Sequence, residues 1–331
     1  MNNEIWQLLD SKHMGGIETH VLQLATGLSR QGHKTRVVFL DDHGEHPLKQ
    51  QLREQGIPMQ VLDGRFASLR RALRHHRPRL LHTHGYKAGL YGRLAARTTS
   101  IRSYSTYHAG EVGKGRLALY DWLDCHSAWL ADGAFAVSLP IAQRIPSPSQ
   151  VIDNFIDTTG LVRSEGQQIA FVGRLSREKG ADRFLALATQ YPRDSFHLYG
   201  DGPLAAELKA TAPANVVFHG QQAQMCKVWP AIGLLVMPSR HEGLPMAALE
   251  AMARGVPVIA SDVGALGGLI TPNVDGWLLD QHDSIGFRDF VGLWLGMPKQ
   301  QRDRIALAAM ARVNQRYSSD AVIPWLLQHY Q

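Results

Sequence analysis

Cysteine is almost absent from this chain: Cys125 and Cys226 are the only two in 331 residues. They lie in different halves and form no metal-type spacing. A disulfide framework and a zinc finger are excluded, and free thiols in a reducing cytosol are expected. No apolar run reaches the roughly 18 residues of a transmembrane helix. The opening Met1-Asn2-Asn3-Glu4-Ile5-Trp6 has no basic segment ahead of an apolar core, so no signal peptide is read there. Low-complexity tracts and internal repeats are missing. So is the Gly-x-Gly-x-x-Gly of dinucleotide-binding folds, which weakens a nicotinamide or flavin reading. No Asp-x-Asp motif stands out, and Asp41-Asp42 reads as a loop after the second strand.

Acidic residues are missing from one long stretch. None occurs between Asp63 and Glu111, where Arg65, Arg70, Arg71, Arg74, Arg77, Arg79, Lys87, Arg93, Arg97 and Arg102 fall. Up to Phe155 the chain has 19 Lys and Arg against 13 Asp and Glu; from Ile156 it has 16 of each. The positive field of the first half attracts anionic surfaces or substrates. No nucleic-acid-binding motif accompanies it, so a nucleic-acid partner is not expected.

What is present is a repeated strand–helix rhythm. Strands are expected at Glu4–Leu9, Lys34–Leu40, Pro58–Leu62, Arg79–Thr83, Ser103–Tyr107, Ala134–Val137 and Gln150–Ile152. A second series follows at Ile169–Gly173, Phe196–Tyr199, Val216–Gly220, Ile232–Met237 and Val256–Ala260. Helices fill the gaps, the first with Val21, Leu22, Leu24, Ala25 and Leu28 as its apolar face. This alternation predicts an α/β class built of doubly wound parallel sheets, with ligands at the carboxyl ends of the strands. The length suits two domains. Late helices are expected near 285–295 and 300–317, and the glycines of Asp262-Val263-Gly264-Ala265-Leu266-Gly267-Gly268 fit a turn before a short helix.

Several segments carry two readings. Gly15 and Gly16, between a first strand and a helix, either bring backbone N–H groups to an anion or simply make a tight turn. The helix Phe66–His76 has Phe66, Leu69 and Leu73 on one face and arginines around it. It is either a basic amphipathic helix for an anionic membrane or a packing helix with a solvated basic face. His82 and His84, and again His108, follow apolar strands; the i, i+2 pair His82–His84 could suggest a metal, but with no third ligand evident a metal site is not expected. Arg174 and Lys179 flank a helix start near Ala181, where two cations suit a diphosphate.

The densest signal is Ser239-Arg240-His241-Glu242-Gly243-Leu244-Pro245-Met246-Ala247-Ala248-Leu249-Glu250-Ala251-Met252-Ala253-Arg254-Gly255. Pro245 suits a first helical position, and Gly255 then Pro257 end the helix. Glu242 either complements the helix dipole or binds a ligand. Glu250, inside an otherwise apolar helix, should be partly buried and needs a partner, from a ligand or a neighbouring backbone group.

Glu-x7-Glu within these flanking residues resembles the donor-site signature of retaining glycosyltransferases of family 4. The resemblance implies the GT-B fold, two Rossmann-like domains facing a central cleft. It implies that Glu242 contacts donor-sugar hydroxyls and Glu250 the ribose, with Gly243, Leu244 and Pro245 completing the loop. Gly173-Arg174-Leu175 with Lys179-Gly180 resembles the segment that holds the leaving diphosphate. Gly15 and Gly16 resemble the Gly-Gly-x-Glu loop that reaches the donor phosphate. Ser105-Thr106-Tyr107-His108-Ala109 resembles the segment whose histidine sits beside the reacting sugar, which makes His108 the catalytic candidate and places His84 and Tyr107 on the acceptor side. Gly200 and Gly202 resemble the loop near the nucleotide, and His219 the region against the base. Asp153-Asn154-Phe155-Ile156-Asp157 resembles the interdomain hinge, with Asp153 in place of a proline and Phe155 in place of a glycine.

The expectation is therefore an acceptor-side domain over 1–155, a nucleotide-sugar domain over 156–315, and a tail over 316–331 that crosses back to the first. The implied activity is metal-independent, retaining transfer of a hexosyl group from a UDP- or GDP-linked sugar. The acceptor would be a glycan or lipid-linked hydroxyl, in polysaccharide, lipopolysaccharide or glycolipid assembly. No cofactor is expected. The expected setting is cytoplasmic, with a peripheral site on the inner membrane face as its extension. A GT-B sugar-nucleotide epimerase and a silent binding subunit are the alternatives.

Overall fold

Among the described residues, thirteen short strands, none longer than six residues, form two parallel sheets. The computed structural model describes residues 3–108 and 116–330, with the backbone alone at 116 and 117. The first sheet holds β1 (Ile5–Leu9), β2 (Thr35–Phe39), β3 (Met59–Val61), β4 (Leu80–His84), β5 (Arg102–Tyr107), β6 (Gly133–Ala136) and β7 (Gln150–Val151). Their spatial order is β3-β2-β1-β4-β5-β6-β7. The second holds β8 (Gln168–Val172), β9 (Phe196–Tyr199), β10 (Val216–Gly220), β11 (Ile232–Met237), β12 (Val258–Ser261) and β13 (Gly276–Leu279), ordered β10-β9-β8-β11-β12-β13. In each sheet the order reverses once, between β1 and β4 and between β8 and β11, and such switch points are where open α/β sheets bind ligands.

Helices between the strands bury both faces. Leu24 and Leu28 of the helix Gly16–Arg30 pack with Ile5, Leu80 and Tyr104 in one core of the first sheet. The last helix, Ser319–His329, joins that core through Val322, Ile323 and Leu326, followed by Tyr330. Two compact units result: residues 1–157 with 319–331, and residues 158–318. The first unit thus extends two residues beyond the expected 155, and the returning segment starts at 319 rather than 316. The hinge-like Asp153–Asp157 stretch is pinned within the first unit, since the Asp157 N–H donates to Gln23 Oε1 at 2.5 Å.

One two-way reading is resolved and three local expectations change. The helix at Phe66–His76 buries Leu69, Ala72 and Leu73 against the first sheet, with Phe66 edge-on to Tyr91. Its apolar face is therefore a packing face and only the basic face is solvated, which removes the amphipathic insertion reading for this helix. Pro245 is extended (φ −74°, ψ 129°) and caps the helix Met246–Met252 rather than starting it. Gly267 and Gly268 lie inside the short helix Leu266–Leu269, not in a turn before it. β13 was not expected at all.

Candidate functional site

The candidate residues fall into two groups, one in each unit. In the second unit they gather after β8, β9 and β11. The loop from Gly173 to Gly180 and the loop from Pro238 to Gly243 are tied together along their backbones. The Arg240 N–H donates to the Glu178 carbonyl at 2.7 Å, and Ser239 Oγ to the Lys179 carbonyl at 3.3 Å. Arg240 also forks onto Asp182 at 2.8 and 2.6 Å. Gly180 makes this approach possible: it sits at φ +73°, and a Cβ there would lie 2.1 Å from the Pro238 carbonyl oxygen. Behind the second loop, Gly264 at φ +63° lies so close that a Cβ would meet the Glu242 carbonyl oxygen at 2.2 Å.

This framework holds Lys179 and Glu242 together. Lys179 Nζ lies 2.6 Å from Glu242 Oε2, and Ser239 Oγ donates to Oε1 at 2.8 Å. The Glu242 side chain is only 2% exposed whereas that of Lys179 is 31% exposed, so the cation is the partner facing solvent. Arg174 is exposed on the same loop and has no partner among the described residues. The bland alternative for Glu242, a carboxylate merely facing a helix end, is therefore incomplete, since it is held by a lysine and a serine.

Glu250 is enclosed at its carboxyl end, which burial pushes above its ordinary pKa. Its Oε2 accepts a hydrogen bond from Trp229 Nε1 at 2.8 Å. The partner is thus a tryptophan, which the sequence reading did not identify. Gly243, Leu244 and Pro245 follow Glu242 directly, with Leu244 buried. Gly200 and Gly202 lie after β9 against the β8 loop, where the Leu175 N–H donates to the Asp201 carbonyl at 3.0 Å. His219 on β10 is exposed, stacks on Tyr199 at 4.2 Å and pairs with His197 at 3.0 Å.

In the first unit the histidines converge. His84 ends β4 and His108 follows β5; His84 Nδ1 and His108 Nε2 are 3.1 Å apart. A third imidazole, unforeseen from the sequence, joins them: His20, from the helix Gly16–Arg30, with its ring 4.8 Å from that of His108 and 5.6 Å from that of His84. The i, i+2 pair His82–His84 is thus not the set that converges: His84 meets His108 and His20 instead. Burial lowers the pKa of all three, that of His20 to about 4, so the rings are neutral near pH 7. His82 is not in this group; it is buried between Thr106 Oγ1 at 2.7 Å and the Tyr330 hydroxyl at 2.5 Å.

Tyr107 is not brought to the histidines either. Side chains alternate along a strand, so Tyr107 faces the opposite side of the sheet from Thr106. There its hydroxyl donates to the Asp124 carbonyl at 3.2 Å and accepts from Arg93 at 3.1 Å. Ala109, the end of that segment, lies outside the described residues. Gly15 is an extended N-cap residue to the helix that starts at Gly16, with no side-chain cap, and Glu18 lies in the first turn.

Comparison with known proteins fits this arrangement. Residues 14–159 match the family model described as Glycosyltransferase Family 4, and residues 166–294 that described as Glycosyl transferases group 1. A GDP-mannose-dependent alpha-mannosyltransferase of Mycolicibacterium smegmatis is 28% identical over 313 residues, 81% of each chain. A UDP-Gal:alpha-D-GlcNAc-diphosphoundecaprenol alpha-1,3-galactosyltransferase of Escherichia coli is 26% identical, over 66% of this chain and 67% of that one. Anabaena HepE in complex with UDP-glucose superposes with a TM-score of 0.81 at 19% identity, over 98% of both chains. The two units thus have the GT-B fold, and the chain belongs to the group 1 glycosyltransferases of family 4.

Proposed function

We propose that this glycosyltransferase moves a hexosyl group from a UDP- or GDP-linked sugar to an acceptor hydroxyl, with retention at the anomeric carbon and without a metal at the diphosphate. The observation that carries the reading is the Lys179–Glu242 ion pair on the loop that also carries the exposed Arg174, whose side chain has no partner among the described residues. Loss of a sugar from a diphosphate builds negative charge on the phosphate. Two cations on one loop are suited to take it up, each worth a few kcal/mol when water is excluded. Lys179 already shares Glu242, so an arriving diphosphate competes for the exposed ammonium while Ser239 keeps the carboxylate in place. Glu242 then orients sugar hydroxyls and Glu250 the ribose, with Gly173, Gly200, Gly202 and His219 lining the nucleotide's course. Two carboxylates flanking one bond, the usual retaining arrangement, are not part of the proposal; the attack is on the sugar's front face with help from the donor phosphate.

The names of the relatives support a hexosyl donor and, for the galactosyltransferase, a diphosphoundecaprenol acceptor. A glycan or lipid-linked acceptor at the cytoplasmic face of a membrane fits the basic first unit. Among the described residues no helix is long and apolar enough to cross a membrane. His108 is the catalytic candidate beside the reacting sugar and His84 lies on the acceptor side, whereas Tyr107 acts only through Arg93 and the core. The test is product analysis. Purified protein is given UDP- and GDP-hexoses with soluble and lipid-linked acceptors, and the new linkage is read by proton NMR. An α product from an α-linked donor is expected. An inverted linkage contradicts retention, and conversion of donor alone, without acceptor, assigns the chain to epimerisation instead.

A further inference from the structure

The three imidazoles of the first unit do more than pack. His20, His84 and His108 come from three separate elements, and one ligand atom from each lies within 4.8 Å of the others. We propose that they form a binding site for one divalent transition-metal ion of the Zn2+ class, distinct from the diphosphate cations of the second unit.

For two of the three rings the second coordination layer is already in place. A ligating histidine nearly always donates its other ring N–H to a fixed acceptor, which sets the tautomer. His84 Nε2 lies 2.9 Å from Gln7 Oε1, leaving Nδ1 for a metal. His20 Nδ1 lies 3.1 Å from Asn154 Oδ1, leaving Nε2. That Nε2 is buried and has no hydrogen-bond partner among the described residues. A buried polar atom without a partner is rare and needs a reason; a lone pair waiting for a cation is such a reason. Tetrahedral zinc with Zn–N of about 2.0–2.1 Å places imidazole nitrogens about 3.3 Å apart. The His84 Nδ1–His108 Nε2 separation of 3.1 Å is near that value, so only His20 must close in.

Ligand chemistry selects the ion. The set is three neutral imidazoles without a carboxylate, which suits Zn2+, Co2+, Ni2+ or Cu2+ and not oxygen-seeking Mg2+ or Ca2+. His20 and His84 are fully buried while His108 keeps some exposure. A fourth coordination position therefore opens on the His108 side and carries an exchangeable ligand, as in three-histidine zinc sites.

The test is Co2+ titration of the full chain after chelator treatment, followed by visible absorption, with Zn2+ competition. One Co2+ per chain is expected, with intense bands of tetrahedral cobalt between about 500 and 650 nm that Zn2+ abolishes and Mg2+ does not. His20→Ala is expected to weaken Co2+ binding at least tenfold. Because that variant removes a buried ring, the wild-type titration stands by itself: no tetrahedral spectrum in folded wild type overturns the proposal. So does a bound Co2+ that survives His20→Ala but is lost in His197→Ala, since that ion sits on the exposed His197–His219 pair. Stabilisation by nucleotide in EDTA reads the second unit alone, so the donor reading and the metal site fail independently. A ligand role for His108 appears in metal stoichiometry, and a sugar-side role appears in kcat at constant metal content.

Discussion

The two units share one architecture and place different chemistry at the carboxyl ends of their strands. In the first, one polar cluster near the switch point is enclosed and neutral: three imidazoles, two of them held by amides, above a core that hides Arg93 against Asp124, while Asp10 and Lys87 form an ion pair at the same strand ends. In the second, the polar side chains are charged, paired and partly open: Lys179 with Glu242, Arg240 with Asp182. A buried neutral set is built to hold a fixed geometry. A half-open ion pair is built to exchange partners, which is what an incoming diphosphate requires. The same fold supplies both because the loops, not the sheets, carry the chemistry.

This contrast breaks at different places with different force. Arg93 is fully buried and reaches Asp124 at 2.6 Å, Ser105 at 2.9 Å and Ser127 at 2.8 Å. Burial pushes the Asp124 carboxyl up to about 6 even so. Removing one member of a buried pair strands the other, at about 3–5 kcal/mol. Arg93→Met should lower the stability of the first unit by that amount in urea unfolding; a loss under about 1 kcal/mol would mean that the pair is hydrated.

Next in size is pH. His20 titrates near 6.5 when unfolded and about 4 when folded. Between those values the unfolded chain binds the extra proton, so stability falls as pH falls. In chelator-treated protein His20 alone should remove about 1.6 kcal/mol between pH 6.5 and 5, and His84 and His108 act in the same direction. Native-state hydrogen exchange should show the first unit opening at pH 5 before the second. Equal behaviour of both units would erase the contrast.

Smaller effects belong to the second unit. Arg174→Ala and Lys179→Ala should each slow turnover at least tenfold, about 1.4 kcal/mol of transition-state stabilisation, while the unfolding midpoint moves little for Arg174→Ala. Near-normal kcat/KM in both would remove the diphosphate assignment. Smallest is Arg240→Lys, which gives up the fork onto Asp182 at the surface. It should cost about 0.5–1 kcal/mol, visible as a small drop in melting temperature with turnover kept within a few fold.

The sheets were readable because their strands are short apolar runs bounded by glycine and polar turns, and the donor-side loop because its residues are contiguous. What was not readable depends on parity or on distance along the chain. Tyr107 looked like a neighbour of His108, yet strand alternation turns it to the far side of the sheet. His20 lies beside the apolar stripe of its helix and gives no local sign of meeting His84 and His108; only the packing of that helix over β4 and β5 reveals it. Trp229 reaches Glu250 from a separate 3-10 turn. β13, Gly276-Trp277-Leu278-Leu279, was missed although β6, β9 and β12 are equally short.

The central claim is that the second unit holds a nucleoside diphosphate through Arg174 and Lys179 without a metal. Its most direct test is thermal unfolding of the full chain with UDP, GDP, ADP, TDP and CMP in EDTA. One diphosphate at about 100 times its dissociation constant should stabilise by about 2.7 kcal/mol, and the gain should shrink in Lys179→Ala. Stabilisation that appears only after magnesium or manganese is added, or in no condition, would contradict it.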